Sequence, residues 1–314
     1  VVAGPEAAVQ TAVRPSPGPA APSPAPAARS AAAWMRGQSW QLVWFAGKGG
    51  AGKSTCAAAA ALGLSDTRPV ALHSTDPAGS LGEVFGRPIG AEPLALTVRL
   101  RVQQVDATAA FDVWRTEYRA EVAAVFEQLG ITESVALDRR VLESALDLAP
   151  LGIDEIVALD HIIDAMEGGE MLIIDTAPTG HFLRLLEMPR LALDWAHALL
   201  RILLHHGGAG SLADVSQRVL AFAKRLKVLR STLADPGRAA VFVVTLDEPM
   251  VRAETERLRA ALRAAAIPEA AVIMNRATAA SSCAAARIVR APDCAVPPQG
   301  AAALRTFFDA WELA

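Results

Sequence analysis

Lysine is scarce in this 314-residue chain. Of its 30 basic residues only Lys48, Lys53, Lys224 and Lys227 are lysines, and the other 26 are arginines. Cysteine is scarcer: Cys56, Cys283 and Cys294 are too few and too scattered for a disulfide framework, and a reducing cytoplasm suits that usage. Aromatic residues reach only 5%, with a single tyrosine, so the core must be built from Ala, Leu, Val and Ile. Hydrophobic residues make up 52%, yet no uninterrupted apolar run is long enough to span a bilayer. Excess charge is also missing. Thirty basic residues stand against 33 acidic ones, a net charge of -3, which gives no basic field and excludes bulk nucleic-acid binding.

The first 39 residues are poor in anything that could form a core. Seven of the 20 prolines fall between Pro5 and Pro26. Such a stretch cannot repeat backbone hydrogen bonds or bury enough side chain to offset its ordering entropy. Residues 1–39 are therefore expected to be a disordered Ala/Pro-rich tail. The prolines also interrupt any apolar centre that a secretory leader would need.

From Trp40 the pattern changes. Short apolar runs at 41–46, 69–73, 171–174, 240–244 and 271–274 read as strands, the last of these as the final one. Residues 96–102 alternate apolar and polar, as one half-buried strand would. Helices are expected at 56–64, ending at the breaker Gly63, and at 107–129, 134–148 and 154–166. Further helices are expected over most of 183–233, with a break at 207–210, and at 249–266 and 301–311. Continuous apolar strands alternating with helices predict an α/β fold with a mostly parallel sheet covered on both faces. Ligands in such sheets bind at the carboxyl ends of the strands, here Gly47 onward, Asp76, Asp175, Glu248 and Asn275.

Two of the four lysines share one glycine-rich loop. Gly47-Lys48-Gly49-Gly50-Ala51-Gly52-Lys53-Ser54-Thr55 matches G-x-x-x-x-G-K-[ST]. Glycines let backbone N–H groups converge on phosphate oxygens. The helix that follows turns its positive end to the same anion. Lys53 is a compact charge for the outer phosphates, and the Ser54 hydroxyl suits Mg2+. Gly47, Gly49 and Gly52 also fit the dinucleotide pattern G-x-G-x-x-G, but a dinucleotide site has no use for Lys53-Ser54. Lys48 is expected to stabilise charge at a phosphate. Asp175, after an apolar strand, stands where a Mg2+-linked carboxylate belongs, and Asp76 is a candidate to orient or deprotonate the attacking water. On Asp76-Pro77 alone, a turn aspartate is the simpler account.

The surrounding residues carry more. The loop 47–55 resembles the variant phosphate loop K-G-G-V-G-K-[ST]. Asp76-Pro77-Ala78-Gly79-Ser80-Leu81 resembles a D-P-A-[HS]-x-L switch. Residues 175–186, with Thr179-Gly180-His181 at their centre, are close to D-T-A-P-T-G-H-x-x-R-L-L. Together these resemble the ATPases that drive the arsenite pump (ArsA) and those that target tail-anchored proteins. Gly152-Ile153-Asp154-Glu155 is similar to the P-G-x-D-E element, with Leu151 in place of the proline.

The resemblance implies a phosphate-loop ATPase domain over 40–314, with a helical subdomain at about 107–168 and 183–235. It implies ATP and Mg2+ as cofactors. It gives Glu248 and Asn275 to nucleotide binding, Ser54 and Asp175 to the metal, and Thr179, Gly180 and His181 to a switch that senses the γ-phosphate. It implies a homodimer in which Lys48 reaches the partner's nucleotide, located in the cytoplasm and peripheral at the membrane. Its partner would be a membrane transporter subunit or a hydrophobic client protein. A positioning switch of the MinD/ParA type shares the loop but not the wording at 179–181. Two departures bear on the cargo. Residues 107–235 contain no cysteine to hold arsenite, and only Met188 falls within 183–235, whereas a groove for a transmembrane helix is usually rich in methionine.

Overall fold

The computed structural model describes residues 29–76, 79–105, 162–176, 211–278, 281 and 283–314, with 179, 180, 182, 183, 189, 190, 193, 194 and 197 as further single positions. The helices expected at 107–129 and 134–148, most of that at 154–166, the 152–155 element, His181 and the break at 207–210 lie outside the described residues.

Ten strands form one sheet. In chain order they are β1 (Arg29–Ser30), β2 (Leu42–Gly47), β3 (Val70–Ser74), β4 (Leu94–Thr97), β5 (Leu100–Gln104), β6 (Met171–Asp175), β7 (Ala239–Thr245), β8 (Glu269–Ala277), β9 (Ile288–Pro292) and β10 (Glu312–Leu313). Across the sheet the order is β1-β10-β9-β8-β7-β2-β6-β3-β5-β4. The seven strands from β9 to β5 pair in parallel, and only the edges are antiparallel. The α/β, mostly parallel architecture read from the sequence is the one found.

The central strands are apolar throughout because both faces are covered. Val43 and Phe45 of β2 enter one core and Leu42, Trp44 and Ala46 the other. Ile173 and Phe242 follow the first face, Ile174 and Val243 the second. The first face is covered by α1 (Ala31–Arg36), α2 (Lys53–Ser65), α3 (Ser80–Phe85) and α6 (Gly300–Asp309). The second is covered by the helical residues 162–167, α4 (Ser211–Leu233) and α5 (Pro249–Ala264).

Four expectations fail. Residues 29–39, assigned to the disordered tail, are part of the fold. Ser30 caps α1 by accepting from Ala33 N at 3.1 Å. Ala31, Ala32 and Met35 are buried, and Trp34 and Trp40 meet Phe242 edge-on at 6.0 and 5.6 Å. Gly63 does not end α2. A Cβ there would lie 2.0 Å from the Phe308 ring, so the glycine is an approach point for α6 inside a continuous helix. The single strand at 96–102 is two antiparallel strands, β4 and β5, because Val98 sits fully exposed in the turn between them. The run at 271–274 is not the last strand, since β9 and β10 follow it.

Candidate functional site

Parallel pairing brings the carboxyl ends of β2, β3, β6, β7 and β8 to one edge. Phe45 is level with Asp175, Ser74 with Asp175, Gly47 with Val244, and Thr245 with Met274. The glycine-rich loop leaves β2 at this edge and returns into α2. Ala51 N donates to Lys48 O at 3.2 Å, and Cys56 N to Gly52 O at 3.0 Å, which starts the helix. Gly52 caps α2 with φ +91, and a Cβ there would lie 2.2 Å from Asn275 Nδ2, so both the turn and the close approach require glycine. Asn275, at the end of β8 and itself buried, donates from Nδ2 to Ala51 O at 2.9 Å.

The electrostatics of the loop are incomplete. Lys53 is only 4% exposed, and no described residue pairs with it by a salt bridge or hydrogen bond. A lysine held at the positive N-terminal end of α2 suits an anion. Lys48 is half-buried and also makes no ion pair with a described residue.

Asp175 is fully buried at the end of β6. Its Oδ2 accepts from Ser74 Oγ at 3.1 Å, while its Oδ1 has no hydrogen-bond partner. Burial lifts its carboxyl to about 6; the Ser54 hydroxyl, the Lys53 ammonium and the Ser74 hydroxyl pull it back down, and Asp76 adds to the rise. An orphaned carboxylate oxygen beside a serine hydroxyl is the oxygen donor set that Mg2+ prefers. The residues present therefore fit a Mg2+-nucleotide.

Asp76 follows β3. Its backbone N donates to Ser74 Oγ at 3.2 Å, and its carbonyl accepts from Gln104 Nε2 at 2.7 Å. Ser54 and Ser80 join their hydroxyls at 2.7 Å, tying the first turn of α2 to the first residue of α3. Thr179 is buried, with an Oγ1 that has no hydrogen-bond partner, and Gly180 is exposed. Glu248 is exposed as the N-cap residue of α5, and no described residue bonds it to the loop.

Ser74, Gln104 and Ser80 are the contributors that sequence reasoning missed. Gln104 carries no motif, and only the parallel pairing of β3 with β5 brings it to Asp76. Cys56 is buried, and burial with the Asp175 charge raises its thiol well above the ordinary range, so it is not a reactive or ligating group. Among the described residues no cluster of three or more His, Cys, Asp or Glu could hold a metal. No helix among them is long and apolar enough to cross a membrane.

Residues 40–292 match the model of the family described as anion-transporting ATPase. The chain is 30% identical over 217 residues to a putative arsenical pump-driving ATPase of Halobacterium salinarum, covering 67% of this chain and 32% of that protein. It is 27% identical over 262 residues to ATPase GET3B of Arabidopsis thaliana, covering 75% and 64% respectively. It is 32% identical over 150 residues to the arsenical pump-driving ATPase of Escherichia coli, covering 47% and 25%. The chain thus spans between about a quarter and just under two thirds of these relatives.

Proposed function

This chain belongs to the anion-transporting ATPase (ArsA) family, and from that premise we propose that it hydrolyses Mg2+-ATP as a nucleotide-switched homodimer that energises an anion transporter in the membrane. The observation that carries the ATP site is the buried Lys53 at the head of α2 together with the orphaned Oδ1 of Asp175 at the end of β6.

In this reading the loop N–H groups and Lys53 hold the outer phosphates. Ser54 and Asp175 would hold Mg2+, which supplies charge neutralisation at the phosphates when bound. Asp76, its backbone fixed by Ser74 and Gln104, orients the attacking water and takes its proton. The water oxygen bonds to the γ-phosphorus, and the bond to the β–γ bridging oxygen breaks to leave ADP and phosphate. Lys48 reaches the nucleotide of the partner subunit and stabilises that leaving charge. Asn275 and Glu248 line the nucleotide, and the 179–181 segment carries the state of the γ-phosphate to the helical region.

The test is Mg2+-dependent phosphate release by the purified chain against Lys53→Ala. Equal rates would overturn the ATPase reading. Lys48→Ala should lower kcat by roughly 10³ if it serves the partner's site, as in-trans arginines do; unchanged kcat would remove the in-trans role.

A second reading, an ATP-driven carrier of a hydrophobic client at the membrane, is supported by the likeness to ATPase GET3B, which spans 75% of this chain. Stimulation of turnover by arsenite or antimonite supports the first reading; copurification of detergent-released tail-anchored proteins supports the second.

A further inference from the structure

An open cavity of about 850 Å3 lies between α4, α5 and the pair Pro189-Arg190. Its place follows from the topology. α4 ends before β7 begins and α5 ends before β8 begins, so both helix C-termini lie at the amino edge of the sheet. The glycine-rich loop leaves the carboxyl edge, at the opposite end. The two helices present unlike walls. Ala261, Ala264 and the cap residue Ala265 fall on one face of α5 and are too small to close the gap to α4. Across from them Lys227 and Arg230 stand one turn apart on α4, and Arg190 adds a third cation from a separate segment.

No acidic side chain is among the described lining residues, and none of the three cations makes an ion pair or side-chain hydrogen bond with a described residue. Like charges one turn apart on a helix repel. The macrodipole of α4 accounts for Arg230, which is in the last turn. Lys227 precedes that turn, and Arg190 is not on α4 at all. Helix-end carbonyls that would repel an anion are engaged: Ala234 N donates to Arg230 O at 3.2 Å, Ala265 N to Ala261 O at 2.9 Å and Ile267 N to Leu262 O at 3.0 Å. A mostly apolar wall with a few convergent charges is the usual build of a small-molecule pocket.

We propose that this cavity binds a single-chain phosphate monoester. Its head sits among Arg190, Lys227 and Arg230, and its alkyl body lies along the alanine wall. A doubly charged phosphate matches three cations better than a carboxylate does. Inorganic phosphate leaves the alanine wall unused, and a neutral amphiphile leaves the cations unmatched.

The experiment is calorimetric titration of decyl phosphate, below micelle formation, into the full chain. Inorganic phosphate and decyl maltoside should each bind at least about tenfold more weakly, the loss expected when the apolar or the charged contacts are missing. The double variant Lys227→Ala/Arg230→Ala, changed only at exposed positions, should lose about tenfold or more in decyl phosphate affinity. Ala264→Glu, which adds a carboxylate to the opposite wall, should lose a similar factor. Lys53→Ala should bind as the wild type does; loss of binding there would put the ligand in the glycine-rich loop and overturn the proposal. No binding by the wild type, equal binding of either control compound, or unchanged affinity in both cavity variants would overturn it too. Cosedimentation with phosphatidylglycerol vesicles without binding of monomeric decyl phosphate would replace the cavity ligand by a membrane contact.

Discussion

Asn275 donates its side-chain amide to the carbonyl of Ala51, 224 residues away in sequence and 2.9 Å away in space. A strand two places from β2 thus braces the crest of the phosphate loop. The same amide lies where any Cβ on Gly52 would be, so loop and brace are fitted to each other. Asn275 Oδ1 is also engaged, accepting from Arg276 N at 3.0 Å, which fixes the orientation of the amide.

Asn275→Ala leaves the buried Ala51 carbonyl without a partner, a cost of about 1–3 kcal/mol. ADP affinity should fall about tenfold through a less ordered loop, with a modest loss in Tm. Isothermal titration and a thermal melt check both. A full loss of Tm with unchanged affinity would mean that the amide serves the core and not the loop.

Lys53 puts a largely buried cationic side chain at the positive end of α2, an unfavourable place until an anion binds. Lys53→Met keeps much of the side-chain volume and removes the charge. The nucleotide-free protein should gain roughly 1–2 kcal/mol, at about 2–4 °C per kcal/mol for a chain of this size, and lose nucleotide binding. Differential scanning calorimetry with and without ADP reads both effects. A lower Tm without ligand would show that the ammonium is satisfied in the free state.

Asp175 gives a pH dependence of defined sign. Its carboxyl titrates at about 6 in the folded chain, above about 3.9 for an unfolded aspartate. The folded state therefore holds the proton more tightly. The associated stability is full below about pH 4 and is lost as pH rises through 6. Asp175→Asn does not titrate. Measured without nucleotide or Mg2+, its Tm relative to wild type should climb between about pH 4 and 6 and then level off, a change of at most about 3 kcal/mol. A flat difference over that range would mean the carboxylate is not held above its ordinary value.

What the sequence reveals depends on how local the cause is. The phosphate loop and the strands at Leu42–Gly47, Met171–Asp175 and Ala239–Thr245 were legible because motif and continuous apolar runs are contiguous in the chain. The strand Ile288–Pro292 was not, since it offers only Val289 and Ala291 as fully buried residues amid arginine and alanine. Helix α1 was hidden by the proline-rich composition before it, although Ser30 as cap and Ala31, Ala32 and Met35 on one face were there to be read. Gln104 could not be found by pattern: its partner lies 28 residues away and meets it only through strand order, whereas Ser80 lay inside the quoted 76–81 motif but without a role, its partner being 26 residues away on another helix.

Ala266 offers a test of the fold that is independent of the nucleotide. It ends α5 with φ +55, the left-handed conformation that favours glycine. Ile267 N donates to Leu262 O at 3.0 Å and Ala266 N to Arg263 O at 3.1 Å, the double closure of a Schellman motif, with Leu262 and Ile267 both buried. Only the residue type departs from the motif. An alanine pays about 1–2 kcal/mol for this conformation, and glycine returns about 0.4–1 kcal/mol of that as extra unfolded-state entropy. Ala266→Gly should therefore stabilise the chain by about 0.5–1 kcal/mol. Ala265, one residue earlier, has φ -81 and gains nothing from glycine, so Ala265→Gly should destabilise by up to about 1 kcal/mol. Chemical denaturation of the two variants separates backbone strain from a general effect of glycine. Destabilisation by both would mean that the positive φ at Ala266 is not a strained site.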